Sequence, residues 1–335
     1  MMPHGRTPLP RMTLRPEPAA IPRFPVDLTA PDLTPWRAGN TGLLGFTTIE
    51  SQQPGPHVML TALMHGNEIG GAIVLARLLE RLLASAIRLR RGRLTLGFLN
   101  LAAFERFDPA QPTASRFIDE DMNRVWDPAV LDGPRTSLEL DRARDIRPIV
   151  DTADLVLDLH SMLWPSDPLI LSGAGTSGRE LAVALGVPPL VVADRGHQTG
   201  PRLIDYPRFA QGPAAAVLVE AGQHWQPDTV AIMHESVDAL LRHTGMTHAP
   251  PRPNAPPNPT VRCAEVTMAI TATTAGFAFL QPYRGGDVIP RRNTLIALDG
   301  HTEIRTPHDD CLMIMPSLRA SRGHTAVRLA RFLPP

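Results

Sequence analysis

The stretch His57–Leu83, HVMLTALMHGNEIGGAIVLARLLERLL, decides the fold. Its first part, His57–Leu63, is short, mostly apolar and stops at a polar cluster, which is the pattern of a buried strand. From Ile69 to Leu83 apolar residues recur at helical spacing, so a helix follows the polar turn. Downstream, Arg93–Asn100 (RLTLGFLN) reads as the next strand, and the alternation continues. Ser137–Val150 reads as a helix with Ser137 as its N-cap. Asp154–Leu159, Leu169–Ser172, Leu190–Ala193 and Ala215–Val219 read as strands, with helices at Gly178–Leu185 and Asp228–His243. Strand alternating with helix implies an α/β fold whose sheet is covered by helices on both faces.

Upstream, residues 1–35 are rich in Pro and Arg and read as an irregular arm, because Pro cannot donate to a helix or a sheet ladder. Residues 36–247 form the expected α/β domain. Residues 248–259 (HAPPRPNAPPNP) read as a stiff linker. Residues 260–335, with β-forming residues and turn signals at Gly285-Gly286-Asp287 and Asp299-Gly300, read as a small all-β domain. Within the α/β part, the polar stretch from Ala102 to Arg135 is long enough to expect a function for it.

The composition is that of an ordinary globular protein, with Lys+Arg and Asp+Glu balanced at 33 each. No basic field points to nucleic acid or to an anionic membrane. All the cations are Arg, and the absence of Lys removes Schiff-base, P-loop and lipoyl chemistry. Cys263 and Cys311 make no metal-type spacing. No apolar run suits a membrane span or a secretory signal, so a cytoplasmic protein is expected.

Four blocks carry chemistry. His65-Gly66-Asn67-Glu68 follows the first buried strand, where open α/β sheets bind ligands. His and Glu three apart can hold one metal when the loop curls back, although a solvated loop histidine has the same spacing. Asp158-Leu159-His160 ends another buried strand, where Asp158 either supports the imidazole from behind or faces the other side, and His160 taken alone is either a hydrogen-bonded strand-end histidine or a ligand. Taken together, His65, Glu68 and His160 match the three-ligand set of catalytic zinc. Glu220, in VLVEAG, is a carboxylate ending an apolar strand, either an edge-exposed Glu or a general base and acid. The stretch Arg116–Arg124, RFIDEDMNR, is either a solvated loop or a clamp, since guanidinium pairs with carboxylates and polarises a developing oxyanion.

The order HGNE, RFIDEDMNR, DLH, VEAG resembles the succinylglutamate desuccinylase/aspartoacylase family, a branch of the zinc carboxypeptidase-like hydrolases, over about residues 58–225. The resemblance implies a mixed sheet flanked by helices, followed by the small all-β C-terminal domain shaping the mouth of the site. It implies one Zn²⁺ per chain on His65, Glu68 and His160, with Arg116 polarising the carbonyl and Glu220 as catalytic base. It implies Asn123 and Arg124 gripping a carboxylate of an N-acyl amino acid, with Tyr283 as a further substrate contact. Amide hydrolysis of a small-molecule N-acyl amino acid is therefore expected. The alternatives are a zinc metallocarboxypeptidase acting on peptides and a non-catalytic binding protein on the same scaffold. Monomer and homodimer both stay open. The chain departs from the family after His160: Ser161-Met162-Leu163-Trp164 stands where small polar residues such as Thr are common. Met162 and Trp164 at the pocket would make it more apolar than one built for aspartate or succinate. A dicarboxylate would call for a further Arg ahead of Glu220, and Arg202 and Arg208 are the candidates.

Overall fold

The computed structural model describes residues 24–196, 199–247 and 260–334. The linker expected at 248–259 and residues 1–23 of the expected arm lie outside the described residues. The described chain runs β1 (Phe46–Glu50), β2 (His57–Ala62), α1 (Ile69–Leu83), β3 (Arg93–Phe98), α2 (Leu101–Phe104), α3 (Pro128–Leu131), α4 (Leu138–Val150), β4 (Leu155–Met162), β5 (Leu169–Leu171), α5 (Thr176–Leu185), β6 (Leu190–Ala193), α6 (Pro207–Ala210), β7 (Ala215–Gln223) and α7 (Pro227–His243). It ends with β8 (Arg262–Thr271), β9 (Phe277–Phe279), β10 (Val288–Ile289), β11 (Leu295–Asp299), β12 (Thr302–Arg305), β13 (Cys311–Ile314) and β14 (Thr325–Phe332).

Eleven of these strands form one mixed sheet in the order β1-β3-β2-β4-β7-β5-β6-β8-β14-β13-β10. The centre, β3-β2-β4-β7, is parallel, and β5 enters antiparallel to β7. Both faces of the central strands are apolar. Val58, Leu60 and Ala62 of β2, with Leu157, Leu159, Val217 and Val219, pack under α1, α5 and α7. The alternate residues Met59, Val156, Ala216 and Leu218 pack under α4, Trp126 and Phe209. Residues of β-strands alternate between faces, so each apolar run serves two cores at once.

The C-terminal β region joins this sheet. β8 pairs in parallel with β6 and carries β14, β13 and β10 after it, while β12-β11-β9 make a separate three-stranded antiparallel sheet. The strand after β2, β3, lies on one side of β2 and β4 lies on the other. This is a topological switch point, and the crevice beyond the strands' carboxyl ends is where such sheets bind ligands. β4 and β7 also run further than their apolar cores suggest, so His160 and Glu220 sit within strands, directly opposite each other in register.

Candidate metal centre

The turn after β2 is bent sharply. Leu63 adopts a left-handed φ of 61°, and Gly66 is pressed so close to its surroundings that a Cβ there would meet the Ala103 carbonyl carbon and the Phe104 nitrogen at 2.4 Å. Only glycine allows that approach. The Gly66 N–H donates to the Arg116 carbonyl (3.0 Å), which ties the HGNE turn to the long loop.

The turn brings His65 and Glu68 to His160. Glu68 bridges the two rings, with Oε1 at 2.7 Å from His65 Nδ1 and Oε2 at 3.1 Å from His160 Nδ1. One ligand atom from each of the three residues lies within 4.8 Å of the others, and all three residues are buried. Each ring's other nitrogen has its own carboxylate: His65 Nε2 meets Asp121 Oδ1 at 3.0 Å, and His160 Nε2 meets Asp158 Oδ2 at 2.8 Å. That arrangement holds both rings with Nδ1 facing inward and the other nitrogen on a carboxylate, as in metal-binding histidines oriented from behind. The donor set, two imidazoles and one carboxylate with carboxylates behind the rings, fits a zinc-type cation.

The electrostatics agree with the geometry. Burial opposes ionisation of Glu68, yet the fields of His65 and His160 and their hydrogen bonds hold it well below the usual carboxylate range. The same balance holds Asp121 low, through His65, Arg116 and Arg124. His160 is pushed up despite burial, by Asp158 and Glu68. Glu220 goes the other way. Burial raises it to about 8, the charge of Glu68 adds to the rise, and His160, Arg116 and Arg328 oppose it. Its Oε2 is buried without a hydrogen-bond partner among the described residues.

The long loop presents Arg116 and Arg124. Arg116 reaches Glu68 (3.4 Å) and Asp121 (3.3 Å) and lies 2.9 Å from His65 Nε2. Arg124 stands 3.7 Å from Asp121, and burial together with the neighbouring guanidinium groups draws it down to about 10. Asn123 is buried, and its Oδ1 accepts the Leu203 N–H at 2.9 Å. The loop itself is held by a residue the sequence reading passed over. Glu139, in the first turn of α4, accepts the N–H groups of Ile118, Asp119 and Glu120 and the Asn100 amide. Asp121 was visible only as one of three acids in the loop. Its place two residues before Asn123 mirrors the spacing of Asp158 and His160, yet it carries no signal alone.

Of the sequence candidates, His65, Glu68, His160, Arg116, Asn123, Arg124 and Glu220 gather here. Tyr283 does not join them. It packs in the C-terminal cluster with Ile289 and Ile296, its ring edge-on to Phe279 at 5.7 Å. Arg202 is consumed by Asp194 and Asp205, and Arg208 donates to the Ala153 carbonyl at the other end of the sheet. The extra Arg near the site comes from β14: Arg328, buried and 3.0 Å from Asp194, acts on both Glu220 and Arg124.

The family model for the succinylglutamate desuccinylase/aspartoacylase catalytic domain matches residues 54–244. Solved structures share the fold. The succinylglutamate desuccinylase of Vibrio parahaemolyticus is 15% identical, with a TM-score of 0.63 over 85% of this chain and 84% of that one. A succinylglutamate desuccinylase/aspartoacylase from Rhodobacter sphaeroides is 18% identical, with a TM-score of 0.65 over 87% and 89%. A product-bound structure of the ectoine utilization protein EutE (DoeB) from Ruegeria pomeroyi is 18% identical, with a TM-score of 0.60 over 85% and 88%. No curated protein matches the sequence. Among the described residues, no helix is long and apolar enough to cross a membrane.

Proposed function

This chain belongs to the succinylglutamate desuccinylase/aspartoacylase family of hydrolases, and from that membership we propose that it is a zinc-dependent deacylase cleaving the amide bond of an N-acyl amino acid. One observation carries the reading: the convergence of two inward-facing imidazoles and a carboxylate beside Glu220, whose Oε2 has no hydrogen-bond partner among the described residues.

His65, Glu68 and His160 would hold the zinc through His65 Nδ1, a Glu68 carboxylate oxygen and His160 Nδ1, with Asp121 and Asp158 fixing the rings. When bound, zinc supplies Lewis acidity to the attacking water and the scissile carbonyl, and its charge favours ionised Glu220. Arg124, with Asn123 beside it, receives the substrate carboxylate and so orients the amide. Glu220 takes a proton from water as the water oxygen attacks the carbonyl carbon. Arg116, part-exposed and anchored to Glu68 and Asp121, faces the oxygen on which negative charge develops. Glu220 then delivers its proton to the amine nitrogen as the C–N bond breaks, releasing a carboxylic acid and an amino acid.

Glu220→Gln should keep one zinc per chain while kcat falls by about a thousandfold. Metal analysis and steady-state hydrolysis of N-acyl amino acids, with peptides as controls, check both halves. Turnover unchanged in this variant would sink the assignment of Glu220.

A further inference from the structure

Resting on the deacylase reading, we infer that the substrate carries a single carboxylate, with its acyl group and amino-acid side chain otherwise uncharged. The charges around Glu220 and Arg124 are nearly all paired. Arg202 spends its guanidinium on Asp205 (Nε to Oδ2, 2.7 Å; NH2 to Oδ1, 3.0 Å) and on Asp194 Oδ2 (3.1 Å). Arg328 lies 3.0 Å from the same Asp194 oxygen. Two guanidiniums and two carboxylates thus form one charge-balanced group. Arg116 is matched by Glu68 and Asp121. Arg124 donates to the neutral Asn123 carbonyl (2.6 Å), and the one carboxylate near it among the described residues is the shared Asp121 at 3.7 Å, while burial and the fields of Arg116, Arg328 and Arg202 work against its charge. One incoming carboxylate satisfies it. A second would find Arg116, Arg202 and Arg328 already facing carboxylates.

The described side chains beyond His160 and beside the HGNE turn are uncharged at the following positions. Met162 follows His160 by two residues on β4, past an irregularity in the pairing with β7, and it is buried yet belongs to neither of the clusters that line the central sheet. His224 is buried with Nδ1 2.8 Å from the Ser161 hydroxyl, and desolvation draws it down to about 4, so it is neutral at physiological pH. Its ring lies 5.2 Å from that of Trp225, whose indole N–H donates to the Asn67 carbonyl of the HGNE turn. Phe24 meets both Trp164 (5.3 Å) and Trp225 (6.4 Å). A carboxylate pressed against this aromatic and thioether wall would lose its hydration without gaining a partner.

The test compares three compounds that differ by one carboxylate: N-acetyl-L-norleucine, N-acetyl-L-glutamate and N-succinyl-L-norleucine. With the zinc-loaded protein, kcat/KM for the first should exceed that for each of the others by about tenfold or more. Equal or reversed rates overturn the inference and leave the deacylase reading standing. A reversal that disappears in Arg328→Gln would reassign that residue to a second carboxylate. Hydrolysis of none of the three overturns the deacylase reading itself. Calorimetry on zinc-loaded Glu220→Gln protein reads the pocket without turnover. There the monoanion should bind about tenfold tighter than either dianion, and equal affinities, or no binding of any of them, overturn the inference independently.

Discussion

One buried histidine opens strand β2 and another stands in the turn after it, and the two have opposite fates. His57, at its start, has Nε2 2.8 Å from the Thr95 hydroxyl and Nδ1 within reach of Arg93 (2.9 Å) and the Thr152 hydroxyl (3.1 Å). Burial and the Arg93 charge push its pKa down, and among the described residues no carboxylate hydrogen-bonds to its ring. His65, in the turn after the strand, has a carboxylate on each nitrogen. The same residue type is thus a structural hydrogen-bonding group at the start of the strand and a candidate ligand in the turn past its end. Carboxylates make the difference, because they orient an imidazole and offset the charge of a cation.

Acidity separates the two ends most strongly. Glu220 folds with its pKa raised to about 8 from an ordinary 4.5, so it favours the folded state only while protonated. Its contribution is fully present below about 4.5 and is lost as pH rises through about 8. His57 has the opposite sign. Its pKa is lowered, so its contribution is present above its ordinary 6.5 and is lost as pH falls through the folded value. In metal-stripped protein, urea denaturation at pH 5 and pH 8 should show wild type losing on the order of 2–4 kcal/mol relative to Glu220→Gln. A constant difference across that range would contradict the assigned environment of Glu220.

A smaller effect is expected behind the ring. Asp121→Asn leaves every proposed ligand in place but removes the charge on His65 Nε2, and zinc affinity should fall about 10- to 100-fold in a competition titration with a chelator. Unchanged affinity would mean that the ring needs no carboxylate behind it. The smallest effect belongs to the far end. His57→Gln should cost about 1–2 kcal/mol by thermal or urea unfolding and leave kcat/KM as it was. A large loss of turnover there would erase the contrast between the two ends.

The sequence made the central layout legible because buried parallel strands are short apolar runs: helix α1 spans the residues its periodicity predicts, and β2 and β3 differ from expectation only at their ends. The gathered residues of the centre were legible because four blocks occur in order. What it hid depends on pairing between distant segments. β8 reads as an ordinary strand, and nothing local says that it pairs with β6 and draws the C-terminal region into the main sheet. Arg328 reaches the site only through that pairing. Tyr283 was a candidate because it is the one Tyr in that region, and packing with Phe279 claimed it instead. Asp121 and Glu139 look like any surface acid until the loop closes over them.

Glu139 has a consequence for exchange with solvent. The loop around residues 116–124 has one short turn of helix, Met122–Arg124, and its backbone amides would ordinarily trade hydrogen for deuterium within seconds. The amides of Ile118, Asp119 and Glu120 instead end on one nearly solvent-free carboxylate rooted in α4. They should therefore exchange at the rate of the helix that owns Glu139, so that a segment with loop geometry keeps the deuterium clock of the core.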